Sequence, residues 1–243
     1  MIGDLKTKIT KFGIFFLNLP PLKLIKYRHR FNIFDLIYKE ATKESVKYIC
    51  KNGSNSVMFV DRKKLFKFVF EEYVKNNDYK DKLFLEFGTY KGESINFCSS
   101  LMPEAKFYGF DSFEGLPETW HAECFKGEFD VKGKLPKVNK NVSLIKGYFN
   151  ETLPKFLEEH KEKAAFIHID CDLYSSTKTI FDNIYDRIVP NTVIQFDEYY
   201  NYPGWRNHEF KAFQEFCKKY SVEYEYIGIS LYQVAVVIKS IKN

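Results

Sequence analysis

Residues 82–94 read KLFLEFGTYKGES: a short apolar run meets a glycine-bearing turn, and a helical pattern follows. From here to residue 220, short apolar runs alternate with helical segments. This alternation is typical of βαβ units, in which parallel strands are buried on both faces. The last two apolar runs, 223–229 and 231–239, have no helix between them and indicate an antiparallel hairpin. The sequence therefore predicts an α/β fold with a mostly parallel sheet and a C-terminal antiparallel hairpin.

Strands and helices can be assigned along most of the chain. The predicted strands before the hairpin are the runs KLFLEFG, AKFYGFD, VSLIKG, AAFIHID and NTVIQFD. Helices are predicted where apolar residues recur at the spacing of a helix face. They cover 62–74, 92–101, the run ETLPKFLEEH, 175–189 and 205–220.

Length and composition limit the classes of protein. A chain of 243 residues can bury one sizeable core, and we expect an N-terminal arm with helices over 1–56 and one domain over 57–243. The formal net charge of +5 is modest and the lysines are spread along the chain, so a nucleic-acid partner is not expected. Five scattered cysteines without zinc spacing predict reduced thiols in a cytoplasmic protein.

The apolar stretch KFGIFFLNLPPLKL (11–24) superficially resembles a signal peptide. It is shorter than the ~20 apolar residues of a membrane-spanning helix. No small-residue cleavage site follows it. We expect an ordered arm that packs on the domain or on a neighbouring subunit, with a peripheral membrane contact as the alternative.

The turn in the opening stretch is a candidate ligand site. It follows the pattern Glu-x-Gly-x-x-x-Gly, with Glu86, Gly88 and Gly92. Gly88 permits a tight turn, and Gly92 permits a close approach of a ligand to the backbone. The pattern lacks the middle glycine of dinucleotide-binding turns, which argues against a bound pyrophosphate. Glu86 instead offers an acceptor for an amine, such as the ammonium of a methionine moiety; a plain strand-to-helix turn is the alternative.

The next strand ends in GFDSFEGLP (109–117). An acidic residue at this place contacts ribose hydroxyls in nucleotide-binding folds, so Asp111 is the ribose candidate and Phe113 is available to flank an adenine. An Asx-turn at Asp111 is the alternative, and the two roles are compatible.

Carboxylates also end the fourth and fifth predicted strands. Asp170 closes the fourth strand, and Asp197 and Glu198 follow the fifth. Because the carboxyl ends of parallel strands meet at one edge of a sheet, these acids should converge. They repel one another unless a cation neutralises them or one is protonated, and oxygen ligands suit Mg²⁺. Helix capping by one acid, with the others solvated, is the alternative. Asp172 forms an Asp-x-Asp pair with Asp170, but we assign it to the turn before the next helix.

Histidine and aromatic residues give weaker signals. His168 lies within an apolar strand and is interpreted as a hydrogen-bonded core residue. His208 falls near the proposed site and is a candidate for substrate contact or proton transfer, with a surface role as the alternative. Trp205 and Tyr199–Tyr200 are candidates for an aromatic wall against a sugar or ring substrate.

Five segments in order carry a family resemblance: LEFGTYKGESI, GFDSFEGLPETW, KGYFNETLP, IHIDCDLYSSTK and FDEYYNYPGW. Together they resemble the macrocin O-methyltransferase family (TylF/MycF type), metal-dependent class I methyltransferases that use S-adenosylmethionine. The resemblance runs from about Val57 to Lys219, and the segment Met58–Leu65 resembles the lead-in helix of that family. It implies a three-layer, Rossmann-like class I methyltransferase fold with an N-terminal helical arm.

The resemblance also implies roles for single residues. Asp111 would bind the ribose of S-adenosylmethionine, and Gly147 and Tyr148 would lie near its adenine. Relatives often have Asp at the position of Glu198. The cofactor-binding residues implied are Met58, Glu86, Gly88, Thr89, Tyr90, Gly92, Ser94, Asp111, Ser112, Phe113, Gly147, Tyr148 and Asp170, and the Mg²⁺ ligands implied are Asp170, Asp197 and Glu198.

The resulting hypothesis is methyl transfer from S-adenosylmethionine to a hydroxyl of a sugar or glycosylated small molecule. Mg²⁺ would be chelated by two adjacent substrate oxygens. Asp170 is the candidate general base, with His208 as the second candidate. Two alternatives stay open: a metal-dependent glycosyltransferase that uses Asp170 and Asp172, and a non-catalytic methyltransferase-like binding module. We also expect a homo-oligomer without a transmembrane segment.

Overall fold

An eight-stranded mixed sheet forms the centre of the described residues, which are 32–121 and 124–242 of the computed structural model. The arm predicted at 11–24 lies outside these residues. In chain order the strands are β1 (Val57–Met58), β2 (Leu83–Phe87), β3 (Phe107–Asp111), β4 (Val142–Lys146), β5 (Ala164–Ile169), β6 (Val193–Phe196), β7 (Glu223–Ile229) and β8 (Val234–Ser240).

The strand order is β1-β7-β8-β6-β5-β2-β3-β4. The strands β6, β5, β2, β3 and β4 run parallel to one another. Strand β8 lies between β6 and β7 and is antiparallel to both. The predicted mostly parallel sheet and its C-terminal antiparallel hairpin are therefore confirmed.

The helices lie on both faces of this sheet. They are α1 (Ile33–Asn52), α2 (Arg62–Phe68), α3 (Glu93–Leu101), α4 (Phe149–Glu159), α5 (Tyr174–Ile184) and α6 (Glu209–Lys219). Helix α2 continues into a π-helical segment, Val69–Val74, and short 3₁₀ turns occupy Tyr185–Arg187 and Trp205–Asn207.

Alternation along the strands divides the core into two layers, because successive side chains point to opposite faces of a sheet. On one face, Phe84 of β2 packs with residues of α2 and α3, among them Phe70 of the π-helical segment. On the other face, Leu85 of β2 packs in a cluster with residues of α4, α5 and α6. The predicted three-layer α/β architecture is therefore confirmed.

The start of the domain differs from the prediction. Met58 lies on β1, which pairs with β7, and not in a helix. Helix α2 begins only at Arg62, where the Asp61 side chain caps it by accepting a hydrogen bond from the backbone N–H of Lys63 at 2.7 Å. A strand of two residues is too short to leave a periodic pattern in the sequence, so nothing in the sequence separates β1 from the following helix.

The sheet and most of its helices belong to one compact unit, Ala41–Asn243, and the chain before it, which ends with the first turns of α1, is a separate unit. The predicted boundary between residues 56 and 57 stays a prediction. Within the described ranges no helix has both the length and the apolar character required to cross a membrane. The five cysteines are free thiols, as expected for reduced cysteines.

The central strand β5 provides a test of the core. Phe166 is 1% exposed, and its ring centroid lies 4.7 Å from that of Phe70. We expect Phe166→Ala to lower the free energy of unfolding by about 3–5 kcal/mol, because it leaves a cavity between helix and sheet. Phe125→Ala, at a side chain that is 60% exposed, is the control and should change it by less than about 0.5 kcal/mol. Equal losses in urea unfolding would contradict this description of the core.

Candidate active site

A cleft of about 580 Å³ opens at the carboxyl ends of the parallel strands. The turns after β2, β3, β4, β5 and β6 form its walls, which is where open α/β sheets bind ligands. The predicted site residues that line it are Gly88, Thr89, Tyr90, Ser94, Asp111, Ser112, Gly147, Tyr148, Asp170, Asp197 and Glu198. The structure thus brings most of the predicted cofactor residues and all three predicted metal ligands to one cleft.

Gly88 joins the first turn to the neighbouring strands. Its φ of +92° is in the left-handed region, and a Cβ at this position would lie 1.6 Å from the carbonyl oxygen of Asp170. The Gly88 N–H donates to the carbonyl of Phe110 at 2.9 Å, and the Asp170 N–H donates to the carbonyl of Phe87 at 2.8 Å. Only glycine fits here, because the turn after β2 packs directly against the backbone that carries Asp170.

Gly92 does not line the cleft. It is the N-cap of α3 with a φ of +78°, and a Cβ there would lie 3.4 Å from side-chain atoms of Pro136 and Val138. The backbone conformation therefore gives the reason for this glycine, rather than the close approach of a ligand.

Asp111 ties the first two turns together. Its Oδ2 accepts a hydrogen bond from the Tyr90 N–H at 2.7 Å, and its Oδ1 accepts one from the Phe113 N–H at 2.6 Å. The second contact is the Asx-turn considered in the sequence. Each carboxylate oxygen can accept a further bond, so the turn and a ribose contact are compatible.

Of the two aromatic residues expected near the adenine, one lines the cleft and the other does not. Phe113 is buried at a φ of +58° and does not line the cleft, because the Asx-turn directs it into the protein. Partly exposed Tyr148 does line it, together with Phe149 and Asn150, which the sequence analysis did not single out.

Four carboxylates meet where the turns after β5 and β6 face the cleft. Ligand atoms of Asp170, Asp172 and Glu198 lie within 4.8 Å of one another, and those of His168, Asp170 and Asp197 form a second such group. The predicted set Asp170, Asp197 and Glu198 is therefore divided between two groups that share Asp170. Asp172 has a φ of +61°, so it shapes the turn as expected and also joins the acids.

Two cations offset part of this negative charge. The Arg62 Nη1 lies 2.7 Å from Asp197 Oδ2 and 3.6 Å from Asp170 Oδ2. The fully buried His168 Nδ1 lies 2.9 Å from Glu86 Oε2, and its Nε2 lies 3.7 Å from Asp197 Oδ1. Burial alone would lower the pKa of His168, but the carboxylates of Asp197 and Glu86 outweigh it and raise that pKa to about 10. His168 is therefore an imidazolium at neutral pH.

Glu86 lies beneath the cleft and not on its wall. It is buried and pairs with His168, and it is not among the residues that line the cleft. The structure thus gives Glu86 a partner inside the protein, while contact with an amine of a ligand stays a prediction. His168 is the hydrogen-bonded core residue that the sequence analysis expected.

Glu209 positions the acid-bearing turns from below. It is fully buried in the first turn of α6. Its Oε1 accepts hydrogen bonds from the N–H groups of Cys171 at 3.3 Å and Asp172 at 3.2 Å, and its Oε2 accepts one from the N–H of Glu198 at 3.4 Å. One side chain therefore connects the turn after β5 to the turn after β6.

The proton affinities of the acids reflect their crowding. Burial, and then the charge of Asp197, raise the pKa of Asp170 and that of Glu198 well above their usual range. Burial raises the pKa of Asp197 less than its contacts with His168 and Arg62 lower it, so its pKa is depressed. Asp197 is thus the acid that the protein's own cations neutralise, and the others lack comparable partners.

Five further residues with a predicted role in the site do not line the cleft. Met58 is 77% exposed on β1 at the edge of the sheet and does not line it. His208 is partly buried against the rings of Trp120 and Tyr202, and burial followed by His121 lowers its pKa. The aromatic wall predicted from Trp205, Tyr199 and Tyr200 is wrong, because all three are buried in the core.

Arg62 and Glu209 are the site residues that the sequence analysis missed. Arg62 is 135 residues before Asp197, and no spacing rule connects them. The sequence does contain a signal for Glu209. This residue lies on the face of α6 that buries Phe213 and Phe216, where a charged side chain needs partners.

Comparison with known proteins agrees with this geometry. Residues 85–199 match a family model described as a methyltransferase domain. No curated protein sequence matches the chain significantly. The structure of CalS11, described as a calicheamicin methyltransferase, is 18% identical with a TM-score of 0.60, over 90% of this chain and 93% of that chain. The structure of the O-methyltransferase NovP is 19% identical with a TM-score of 0.56, over 74% of this chain and 79% of that chain. The chain therefore has the Rossmann-like class I methyltransferase fold.

Asp172 makes the stability of the metal-free protein depend on pH. Burial, and then the charge of Asp197, raise the pKa of Asp172 to about 7. The unfolded carboxyl ionises near pH ~4, so between about pH 4 and 7 the folded state keeps a proton that the unfolded state has released. The free energy of unfolding therefore falls as pH rises through this window, by up to about 1.4 kcal/mol per pH unit from this group.

We expect Asp172→Asn to flatten this dependence, measured by urea unfolding in EDTA between about pH 5 and 7. The exposed Asp182, which pairs with Lys178 at 2.7 Å, provides the control variant Asp182→Asn, with an unchanged slope. A slope in Asp172→Asn equal to that of the wild type would contradict the raised pKa.

Proposed function

We propose that this protein is an S-adenosylmethionine- and Mg²⁺-dependent O-methyltransferase that acts on a hydroxyl of a sugar or glycosylated small molecule. One observation carries the proposal: a single cleft is lined both by the glycine turn with Asp111 and by the acid cluster. A cofactor site and an acceptor site that share one cavity suit direct transfer of a group between two bound molecules.

The similarities support the same reaction class. The match to a methyltransferase domain covers residues 85–199, which include the glycine turn, Asp111 and the acids. A second structure of CalS11, described as a TDP-rhamnose 3'-O-methyltransferase, is 17% identical with a TM-score of 0.53, over 84% of this chain and 93% of that chain. That description supports a sugar hydroxyl as the acceptor.

The residues around the glycine turn fit S-adenosylmethionine. Thr89 and Ser94 flank the N-terminal end of α3, whose unpaired N–H groups and positive dipole suit a carboxylate. Asp111 retains acceptor capacity for ribose hydroxyls, and the partly exposed ring of Tyr148 is available to an adenine. When bound, the cofactor would supply an electrophilic methyl group.

The acid cluster fits a divalent cation. Asp197 Oδ1 and Glu198 Oε2 are buried and have no hydrogen-bond partner in the described part of the chain. Oxygen atoms of this kind are the ligands that Mg²⁺ prefers. Asp170, Asp197 and Glu198 are the proposed ligands; Asp170 and Glu198 already form a group with Asp172, and Asp197 would have to approach Glu198 to share the ion with it. When bound, the ion would lower the pKa of the accepting hydroxyl.

Asp170 is the proposed general base. Its side chain is partly exposed and lines the cleft, whereas Asp197 is buried and paired with Arg62. Asp170 would accept the proton of the acceptor hydroxyl as the oxygen bonds to the methyl group. His208 has no assigned role, since it does not line the cleft. A cytoplasmic location and homo-oligomerisation remain predictions.

Binding of the cofactor product tests the proposal directly. S-adenosylhomocysteine should raise the melting temperature increasingly with its concentration, because a ligand that binds only the folded state stabilises it by mass action. Mg²⁺ should add a further shift that EDTA removes. Nucleotide sugars are the control ligands, and stabilisation by them without stabilisation by S-adenosylhomocysteine would favour a glycosyltransferase and contradict the proposal.

Removal of the proposed base separates chemistry from binding. Asp170→Asn should lower the rate of methyl transfer to a sugar acceptor by at least about a hundredfold, because it removes the proposed general base and one proposed ligand of the ion. Its affinity for S-adenosylhomocysteine, measured calorimetrically, should stay close to that of the wild type. Asp182→Asn is the control and should retain full activity. A fully active Asp170→Asn protein would show that the base is assigned wrongly.

A further inference from the structure

We propose that Arg62 is a built-in counter-ion of the acid cluster, which competes with a divalent cation for Asp197 and Asp170. The inference rests on the metal site of the proposed function and goes beyond it, because it assigns the affinity of that site to a residue that is not a ligand. Arg62 and the ion would neutralise the same carboxylates in alternative states of the protein.

The position of the Arg62 guanidinium is the first support. A single nitrogen, Nη1, lies 2.7 Å from Asp197 Oδ2 and 3.6 Å from Asp170 Oδ2. It thus contacts acids from the ends of two adjacent strands, β6 and β5. A divalent ion held by Asp170 and Asp197 would lie close to this nitrogen, and the two cations would repel each other.

The place of Arg62 in its helix is the second support. Arg62 is the first residue of α2, directly after the N-cap Asp61. The N-terminus of a helix carries positive charge, which disfavours a cation there. The carboxylates therefore hold Arg62 at a position that its own helix opposes. Its side chain is 33% exposed and lines the cleft, so it can move toward solvent without repacking the core.

The hydrogen-bonding capacity left on the buried acids is the third support. This residue is 4% exposed, and its Oδ1 has no hydrogen-bond partner among the described residues. The Oε2 of Glu198 is likewise buried without a partner in the same part of the protein. Arg62 contacts neither oxygen, and His168 Nε2 lies 3.7 Å from Asp197 Oδ1, beyond hydrogen-bond distance, whereas a divalent cation could bind one or both. Exchange of Arg62 for the ion is therefore favourable once the ion is concentrated enough.

A dual role follows for Arg62. Without the ion, it limits the repulsion between Asp170 and Asp197 and keeps the cleft ordered. When the ion binds, the charge of Arg62 opposes it, and weakening the Arg62 contact costs free energy that lowers the apparent affinity of the site. Loss of the charge at residue 62 should therefore strengthen metal binding, which is the opposite of what removal of a ligand does.

The experiment measures binding of Mn²⁺ alone to the full chain, by calorimetry or electron paramagnetic resonance, without cofactor or acceptor. Arg62→Gln should bind Mn²⁺ at least tenfold more tightly than the wild type, and Arg62→Lys, which keeps the charge, should stay within about threefold of it. Lys67→Gln is the control on the same helix, at an exposed lysine paired with Glu71, and should not change the affinity. Unchanged or weaker binding by Arg62→Gln, or equal tightening by Arg62→Lys, would overturn the proposal.

A measurement on the wild type covers the case in which Arg62→Gln does not fold. The Nε–H resonance of Arg62, assigned by its absence in Arg62→Lys, should shift on titration with Mg²⁺ as the ion pair breaks. A resonance that stays in place at saturating Mg²⁺ would refute competition. Absence of Mn²⁺ binding in all variants would also overturn the inference, while stabilisation by S-adenosylhomocysteine would still report separately on the methyltransferase proposal.

Discussion

The repulsion between carboxylates at the ends of β5 and β6 is the constraint on which the rest of the site depends. Parallel strands deliver Asp170 and Asp197 to one edge of the sheet, where their charges cannot be separated. Arg62 on one side and His168 below offset part of this negative charge. Burial, and then the charge of Asp197, raise the pKa values of Asp170 and Glu198, which is the expected response of buried, crowded carboxylates.

The same sheet edge links the two halves of the cleft. Gly88, in the turn assigned to the cofactor, packs against the carbonyl oxygen of Asp170, in the turn assigned to the acceptor. Asp111 in turn fixes the backbone of Tyr90. The cofactor turn and the proposed base are therefore in direct contact, so their relative positions are determined by backbone packing and not by flexible side chains.

Much of the fold and part of the site follow from the sequence alone. The strands β2 and β5 are buried along their whole length, so they appear as uninterrupted apolar runs, and the acids that end them stand out. The directions of individual side chains do not follow from the sequence. Phe113 and Trp205 are placed by local turns and tertiary packing, which no linear pattern records, and both were expected at the cleft but lie in the protein interior. Arg62 is brought to Asp197 only by the complete fold, because 135 residues separate them.

Glu209 shows how the protein prepares a binding site in advance. Its carboxylate accepts backbone N–H groups from the turns that carry Asp172 and Glu198, so the spacing between those turns is set before any ligand arrives. A ligand that binds there loses less free energy to the ordering of loops, which is the advantage of preorganisation. In the proposed function, the carboxylate below the cleft would thus contribute to recognition through entropy, although it does not line the cleft.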